Sequence, residues 1–481
     1  MKNRSSQGAA PILCPLVCVL LVAFVLHRHG QTTLPANSPT PIETGSEQTA
    51  LPAQNSVEAI VSRWGLLEFP AADGGGYHVY PELSSVGEGD SSLDDLAKVP
   101  RVRMFYFDGY TNEGWRKLGR LVDLESLMCI SVTIEDENLP PLKGLVNLER
   151  LVLGWSESAE WLSGAKEPTY RRSKFTGASL DVLRYMPKLR QLELVSAGLT
   201  DASLVHVAAA RGLQHLAIDG PITNDGLKHL ADLPRLKSLS LEGDFDDEGL
   251  IPLAGMTTLE TLVLRGPRLT GTGLAHLAHL PRLEFLRFVP REEGSTLAPL
   301  QHWRTLECLN LQNYRTNDSL LATLGSMPRL KSLALQTASI TDDGLAALQR
   351  LPNLEELDIA HTPITDRGLE QVAKLDQLRW LMVGSFDEAL ITEKGLVSLN
   401  QLHRLENLNL MYINLDGGKL RLLQIPTLKW IGLSRLPLNL DEDMKELAAR
   451  LPNLNQQPRK RLLRAHWDYG SKNKDFDFLH E

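Results

Sequence analysis

The sequence predicts an α/β solenoid of short repeats, with a parallel β-sheet on one side and short helices on the other, and three observations lead there. The phrase L-x-x-L-x-L recurs from Leu189-Leu192-Leu194 through Leu330-Leu333-Leu335 and Leu354-Leu357-Ile359 to Leu428-Ile431-Leu433. Its opening positions Leu189, Leu213, Leu236, Leu259, Leu283, Leu306, Leu330, Leu354 and Leu378 stand 23 or 24 residues apart. Halfway through each period the apolar spacing changes from that of a strand to that of a helix, as in Ile340-Thr341-Asp342-Asp343-Gly344-Leu345 and Ile364-Thr365-Asp366-Arg367-Gly368-Leu369.

Each element has a physical reason. In the L-x-L segment alternate side chains share one face of a strand, so the leucines point inward together. Thr or Asp at the helix start, including Thr200 and Asp201, can accept the unpaired N–H groups of the first turn. Leu345, Leu348 and Leu351 then fall at helical spacing, and Pro352-Asn353 ends the helix before the next strand. One repeat is a short strand, a loop and roughly two turns of helix, a unit too small to bury its own apolar face. Stacking buries it: strands about 4.8 Å apart form one sheet, and the wider helices curve the stack into a horseshoe with the sheet on the concave side.

The same phrase extends to Val102-Phe105-Phe107, Leu124-Leu127-Cys129 and Leu148-Leu151-Leu153 upstream and Leu405-Leu408-Leu410 downstream, fourteen strands in all. The array is then roughly 60 to 70 Å long, which suits a macromolecular partner better than a metabolite. Repeats occupy residues 100–454. The cap at 56–99 comprises an amphipathic helix from Val57 to Trp64, then Gly65, and an atypical first strand at Tyr77-His78-Val79-Tyr80. Leu447 to Leu454 closes the last helix, and residues 455–481 form a C-terminal cap or tail.

Residues 1–30 speak to location. Lys2 and Arg4 precede the apolar run Ala9 to Leu26, which is interrupted only by Pro11 and Pro15. It reads as an uncleaved signal anchor, with a cleaved export signal as the alternative, since small-x-small cleavage logic is poorly met after it. Residues 31–55, rich in Pro, Thr, Ser and Ala, read as an extended spacer between the membrane and the repeats. With 481 residues, 43% hydrophobic and a formal charge of −9, the chain can bury a large core and is not a basic nucleic-acid binder. The basic cluster Arg459-Lys460-Arg461 with Arg464 reads as a solvated cap. Of the four cysteines, Cys14 and Cys18 lie in the apolar run, while Cys129 and Cys308 are too many strands apart to be bridged.

Function is read from the residues that alternate with the inward leucines, such as Gln191, Glu193 and Val195, or Phe285, Arg287 and Val289. Two features rise above this mixed surface. Trp380, Met382, Met411 and Trp430 gather near the C-terminal end as an exposed patch of the kind found at binding hot spots; the competing reading has the tail, with Trp467, Tyr469, Phe476 and Phe478, fold back over them. Between Leu148 and Leu189 the period also lengthens, so that residues 155–176 form an insertion carrying Trp155, Trp161, Tyr170, Arg171 and Arg172 at the rim. It is either a partner-contacting loop or a tolerated insertion.

An enzyme reading finds little. His215 lies beside Ser238, with Glu193, Asp219 and Ser240 on the same face, but flat strands offer neither a strained nucleophile turn nor free N–H donors. His361 near Asp358 reads as a surface pair, and no H-E-x-x-H, C-x-x-C or glycine-rich phosphate loop occurs, so no cofactor or metal is expected.

The combination of L-x-x-L-x-L, I-T-D-x-G-L-x-x-L, the short period and the Trp64-Gly65 cap resembles leucine-rich repeat proteins of the ribonuclease-inhibitor-like class. It is similar to secreted or membrane-anchored bacterial members, planctomycete ones among them, and more distantly to the repeat arms of F-box proteins. The resemblance covers about residues 56 to 454 and implies fold far more than activity. Together with the apolar N-terminal run and the outward rows, the sequence reads as a non-enzymatic scaffold, extracytoplasmic and anchored through Ala9 to Leu26 or secreted, binding a protein or glycan through the concave face and rim insertion. The alternatives are an intracellular adaptor and a structural envelope component.

Overall fold

The computed structural model describes residues 67–69, 76–79, 90, 92–99, 102–106, 111–129, 134–154, 175–196, 198–290, 296–311, 317–324, 327–335, 339–384, 390–411, 419–433, 446–451 and 453–454. All of them lie in one compact unit, Val57–Leu462. The expected helix at Val57 to Trp64, the anchor run Ala9 to Leu26, the spacer and the tail from Gln456 lie outside the described residues.

The fold is the expected α/β repeat solenoid. Among the described residues there are 16 strands, in one sheet and in strict chain order. These are β1 (Leu67–Phe69), β2 (Gly76–Val79), β3 (Val102–Tyr106), β4 (Ser126–Cys129), β5 (Arg150–Leu153), β6 (Gln191–Val195), β7 (His215–Asp219) and β8 (Ser238–Glu242). The sheet continues through β9 (Thr261–Gly266), β10 (Phe285–Pro290), β11 (Cys308–Asn310), β12 (Ser332–Ala334), β13 (Glu356–Ala360), β14 (Trp380–Gly384), β15 (Asn407–Met411) and β16 (Trp430–Leu433). All pairings are parallel except β1 with β2. Tyr77 to Val79 is therefore the second strand, and the antiparallel β1 is one the leucine phrase could not reveal, because Leu67-Glu68-Phe69 carries too little of it.

Register follows the leucines. Leu192, Leu216, Leu239 and Leu262 align across β6 to β9, and Leu309, Leu333, Leu357 and Leu381 across β11 to β14. They join the leucines of the helical segments in one continuous buried core. At each step from β4 to β16 one carbonyl at the strand entrance accepts two N–H groups from the next repeat, as Glu355 O does from Arg379 N (2.7 Å) and Trp380 N (3.0 Å). This repeated double bond fixes the stacking distance before the strand proper begins.

The convex segments are less uniform than two turns of α-helix. Asn112–Leu118, Ser203–Ala209, Asn224–Leu230 and Asp366–Val372 are α-helical, whereas Pro140–Gly144, Leu180–Tyr185, Asp247–Gly255 and Ala298–His302 are 3₁₀. Three of the latter four contain proline, whose missing N–H and ring clash oppose the i to i−4 bond and favour a tighter turn. Segments this short hold their form by packing rather than by propensity.

The I-T-D-x-G-L motif has a cause that spans two repeats. Thr223, Thr365 and Thr392 cap their helices as expected, each accepting from the N–H two residues on. The same threonines also donate to the aspartate of the preceding repeat. Asp342 receives Thr365 N (2.8 Å) and Oγ1 (2.6 Å), and Asp318 receives Thr341 N (2.8 Å) and Oγ1 (2.7 Å). Asp201 bonds Thr223, and Asp366 bonds Thr392, in the same way. Where the motif has Asn224 instead of Asp, the next cap is Asp246, so donor and acceptor exchange and the link survives. The glycine is required because a Cβ at Gly226, Gly344, Gly368 or Gly395 would overlap the incoming aspartate of the previous repeat. Thr200 and Thr341 depart from the expectation: Thr341 stands at the cap position without accepting an N–H there, and the helix after Thr200 starts only at Ser203, with Ala202 at the cap position, while Asp201 serves the next repeat.

These links carry a pH prediction. Burial, the largest single influence, raises the carboxyl pKa of Asp136 and Asp247, but hydrogen bonds from Thr176 and Ser179, and from Thr270 and Thr272, outweigh it and hold both below the usual aspartate value. A folded-state pKa below the unfolded one means that stability is present above the ordinary carboxylate pKa and is lost as pH falls through the folded value. The melting temperature should therefore fall on acidification below about pH 4, and Asp247→Asn should flatten that fall. A melting temperature of Asp247→Asn that tracks the wild-type acid slope would show that the ladder does not titrate as described.

Candidate recognition face of the sheet

The leucine register leaves three rows of side chains on the helix-free face. The first runs through Gln191, His215, Ser238, Thr261, Phe285 and Cys308; the second through Glu193, Ala217, Ser240, Val263, Arg287 and Asn310; the third through Val195, Asp219, Glu242, Arg265 and Val289. From β6 to β10 most of these positions are half-buried between fully buried inward residues, the alternation expected of a strand with one wet face. The surface is polar, apolar and charged in turn.

The C-terminal half differs. Every residue of β12, β13 and β14 is buried, on both faces. Trp380 keeps 9% exposure and Met382 0%, and the polar Glu356, Asp358 and Asn409 are buried as well. The expected exposed Trp/Met patch is thus corrected: Trp380 and Met382 are withdrawn from water in the full chain, and polar neighbours share their burial. Trp430 is half-buried, its ring lying across Gly432 beside the Asn409 side chain, so that glycine provides the space the indole fills. Trp380, Asn407 and Trp430 do fall in one row, as the phrase implied. Met411 ends β15, and its side chain lies outside the described residues. Ala334, assigned to the same face, is buried too.

The insertion is shorter than the sequence suggested. The chain leaves the sheet at Gly154, held by its N–H to Cys129 O (2.9 Å), with a positive φ of 98° that favours glycine. It has rejoined the core by Phe175, which is fully buried and accepts from Ser196 Oγ at 2.9 Å. Thr176 donates through N (2.9 Å) and Oγ1 (2.7 Å) to Asp136, so Phe175-Thr176 is the start of a repeat in the Asp–Thr series and not part of the insertion. A hydrophobic-Thr pair without the following Asp hid it. Trp155, Trp161, Tyr170, Arg171 and Arg172 lie outside the described residues. β5 and β6 still pair in register across the excursion.

Charge on the face is uneven. Burial raises the Glu193 carboxyl pKa, opposed by Arg150. Arg265 Nη1 lies 3.2 Å from Glu242 Oε2. Arg287 is half-buried, and burial followed by Arg265 brings its pKa down to about 9 while Glu242 raises it. Arg287 was placed on this face by its register yet not singled out; the signal was two arginines on adjacent strands against one nearby acid.

The catalytic alternative gains nothing from the geometry. His215 and Ser238 are ladder neighbours, but His215 N bonds Arg190 O (2.9 Å) and Ser238 N bonds Gln214 O (3.0 Å), leaving no N–H there to stabilise an oxyanion. Asp358 accepts from Ala360 N at 3.1 Å, and His361 sits in a left-handed turn with φ 59°. Among the described residues no cluster of His, Cys, Asp or Glu could hold a metal ion, and no helix is long and apolar enough to cross a membrane. Among the described residues neither Cys129, buried, nor Cys308, half-buried, is in a disulfide.

Comparison with known proteins bears on the repeat itself. A family model described as Leucine Rich repeat matches residues 350–373. An internalin (inlF) of Listeria monocytogenes str. 4b F2365 is 22% identical over 76% of this chain and 93% of its own, with a TM-score of 0.45. An internalin C2 (inlC2) of the same strain is 23% identical over 45% of this chain and 84% of its own, with a TM-score of 0.32. Neither likeness bears on what this chain binds. The comparison with curated proteins gives no match.

Proposed function

We propose that this leucine-rich repeat solenoid is a non-enzymatic scaffold that binds a protein partner across the helix-free face of its sheet. The observation that carries the reading is the half-buried stretch from β6 to β10, where side chains of mixed character stand in register and the backbone is used up in the ladder. Such a face offers contact area and side-chain variety without reactive backbone, which is what recognition of a folded partner uses. Binding is assigned there rather than to Trp380 and Met382, which are buried. The insertion leaves the sheet after β5, at the border of this stretch, which supports giving its Trp155, Trp161, Tyr170, Arg171 and Arg172 a role at the rim.

The ribonuclease-inhibitor-like subclass is supported by the seven-residue α-helices Ser203–Ala209, Asn224–Leu230 and Asp366–Val372. An extracytoplasmic setting rests on sequence alone, on the apolar run Ala9 to Leu26 and the spacer after it. The test is affinity capture with the full chain as bait beside an Ala217→Tyr/Val263→Tyr double variant, which fills the face without touching the core. A protein retained by the wild type and lost from the variant is expected. Equal retention by both would end this reading.

A further inference from the structure

Arg265 on β9 and Arg287 on β10 occupy adjacent strands of the helix-free face, and the carboxylate that acts on both, Glu242, is in contact with Arg265 alone. Glu242 pairs with Arg265 at 3.2 Å. Arg287 sits between Val263 and Asn310 across the ladder, with Phe285 and Val289 two residues before and after it on the same face. Its Nε is buried without a hydrogen-bond acceptor, and among the described residues no ion pair joins its guanidinium to a carboxylate. The group stays cationic at neutral pH even with its pKa lowered to about 9. A partly desolvated cation that no carboxylate contacts, and that Glu242 offsets only from a distance, works against folding.

We propose that Arg287 is the receptor for the carboxylate of an aspartate or glutamate side chain on the protein partner, an assignment that rests on the recognition reading of this face. The planar fork of guanidinium donors matches a carboxylate in a bidentate pair, and the apolar register neighbours Val263, Phe285 and Val289 keep water from it. A dense polyanion fits worse. Glu193, Asp219 and Glu242 share the face and repel repeated negative charge, whereas one carboxylate suffices for Arg287, which no carboxylate contacts among the described residues.

The test uses short peptides selected on the immobilised full chain, each then made with Glu and with Gln at its acidic position. The Glu form should bind the wild type about tenfold tighter or more, as a charged hydrogen-bonded pair allows. The chain's net charge of −9 opposes that preference, so it must arise locally. In Arg287→Met, which keeps the aliphatic stem, the preference should vanish and the melting temperature should be unchanged or raised. Equal binding of the Glu and Gln forms by the wild type, or a preference that survives Arg287→Met, would overturn the proposal. So would a clear fall in melting temperature of Arg287→Met, which would mark a structural arginine. A heparin-derived oligosaccharide that binds through Arg287 while peptides show no preference would overturn it in favour of a sulfated ligand. Peptides that bind Ala217→Tyr/Val263→Tyr as well as the wild type would instead sink the recognition face itself, so the two failures are distinguishable.

Discussion

Leu333→Ala should destabilise the chain by about 2 to 5 kcal/mol, among the largest effects a single side-chain truncation can have here. Leu333 is fully buried between Leu309 and Leu357 in the parallel ladder, and the repeats on either side cannot collapse into the space without shifting their own strands. The contrasting change is Ala217→Ser, on the helix-free face of β7, where a half-buried alanine is replaced by a residue of nearly its size. It should stay within about 0.5 kcal/mol of the wild type. Ala334, next to Leu333, would be a poor control, since its burial makes an added hydroxyl costly. Denaturant melts measure both, and hydrogen exchange shows whether the loss centres on β11 to β13. Equal destabilisation by the two substitutions would mean that the inward and outward rows had been exchanged.

The second large effect is an inversion. Gly344 lies in the short helix Asp342–Leu345, where Ala would ordinarily be the better helix former by about 1 kcal/mol. A Cβ at Gly344 overlaps the Asp318 carboxylate, however, and that carboxylate is held in place by Thr341 N and Oγ1. Gly344→Ala should therefore displace the aspartate and cost about 1 to 3 kcal/mol through overpacking, with the lost hydrogen bonds added. In an Asp318→Gly background the carboxylate and the Cβ that would lie 3.0 Å from the added methyl are both gone, and the same Gly344→Ala change should be neutral or stabilising. The sign change in this double-mutant cycle is the measurement. Additive effects of the two substitutions would show that glycine and aspartate do not meet across the repeat boundary.

Much of this architecture was legible because one residue type repeats. The leucine spacing announced the strands from β3 onward and set their register, since a slip of one residue would turn each leucine outward. It could not announce β1, which lacks the phrase, nor distinguish 3₁₀ from α-helical segments, a choice that prolines such as Pro252 bias and that Leu180–Tyr185 makes without one. The motif around Thr365 was readable as a helix cap, yet its second role was not. The bond to Asp342 joins residues that are adjacent only once the repeats stack, so no local rule contains it. The same limit applies to the face. Register placed Trp380, Met382 and Arg287 on the correct side of the sheet, but whether a residue there meets water depends on the rest of the chain. Trp380 proved buried for that reason, and Arg287 proved more informative than the tryptophans because its lack of a contacting carboxylate is visible only beside Glu242 and Arg265.

The strict chain order of the strands sets how this molecule can change. Among the described strands each pairs only with the one before and the one after it in the chain, so the ladder contacts of a repeat are written by its two adjacent repeats. Copying or losing one whole period alters the length of the sheet while leaving the chemistry at all other boundaries as it was, provided the Asp of one copy still meets the Thr of the next. The outward rows, meanwhile, are spelled by residues that the leucine core does not constrain. Reach is thus tuned by copy number and selectivity by an independent alphabet, two variables that most globular folds cannot separate.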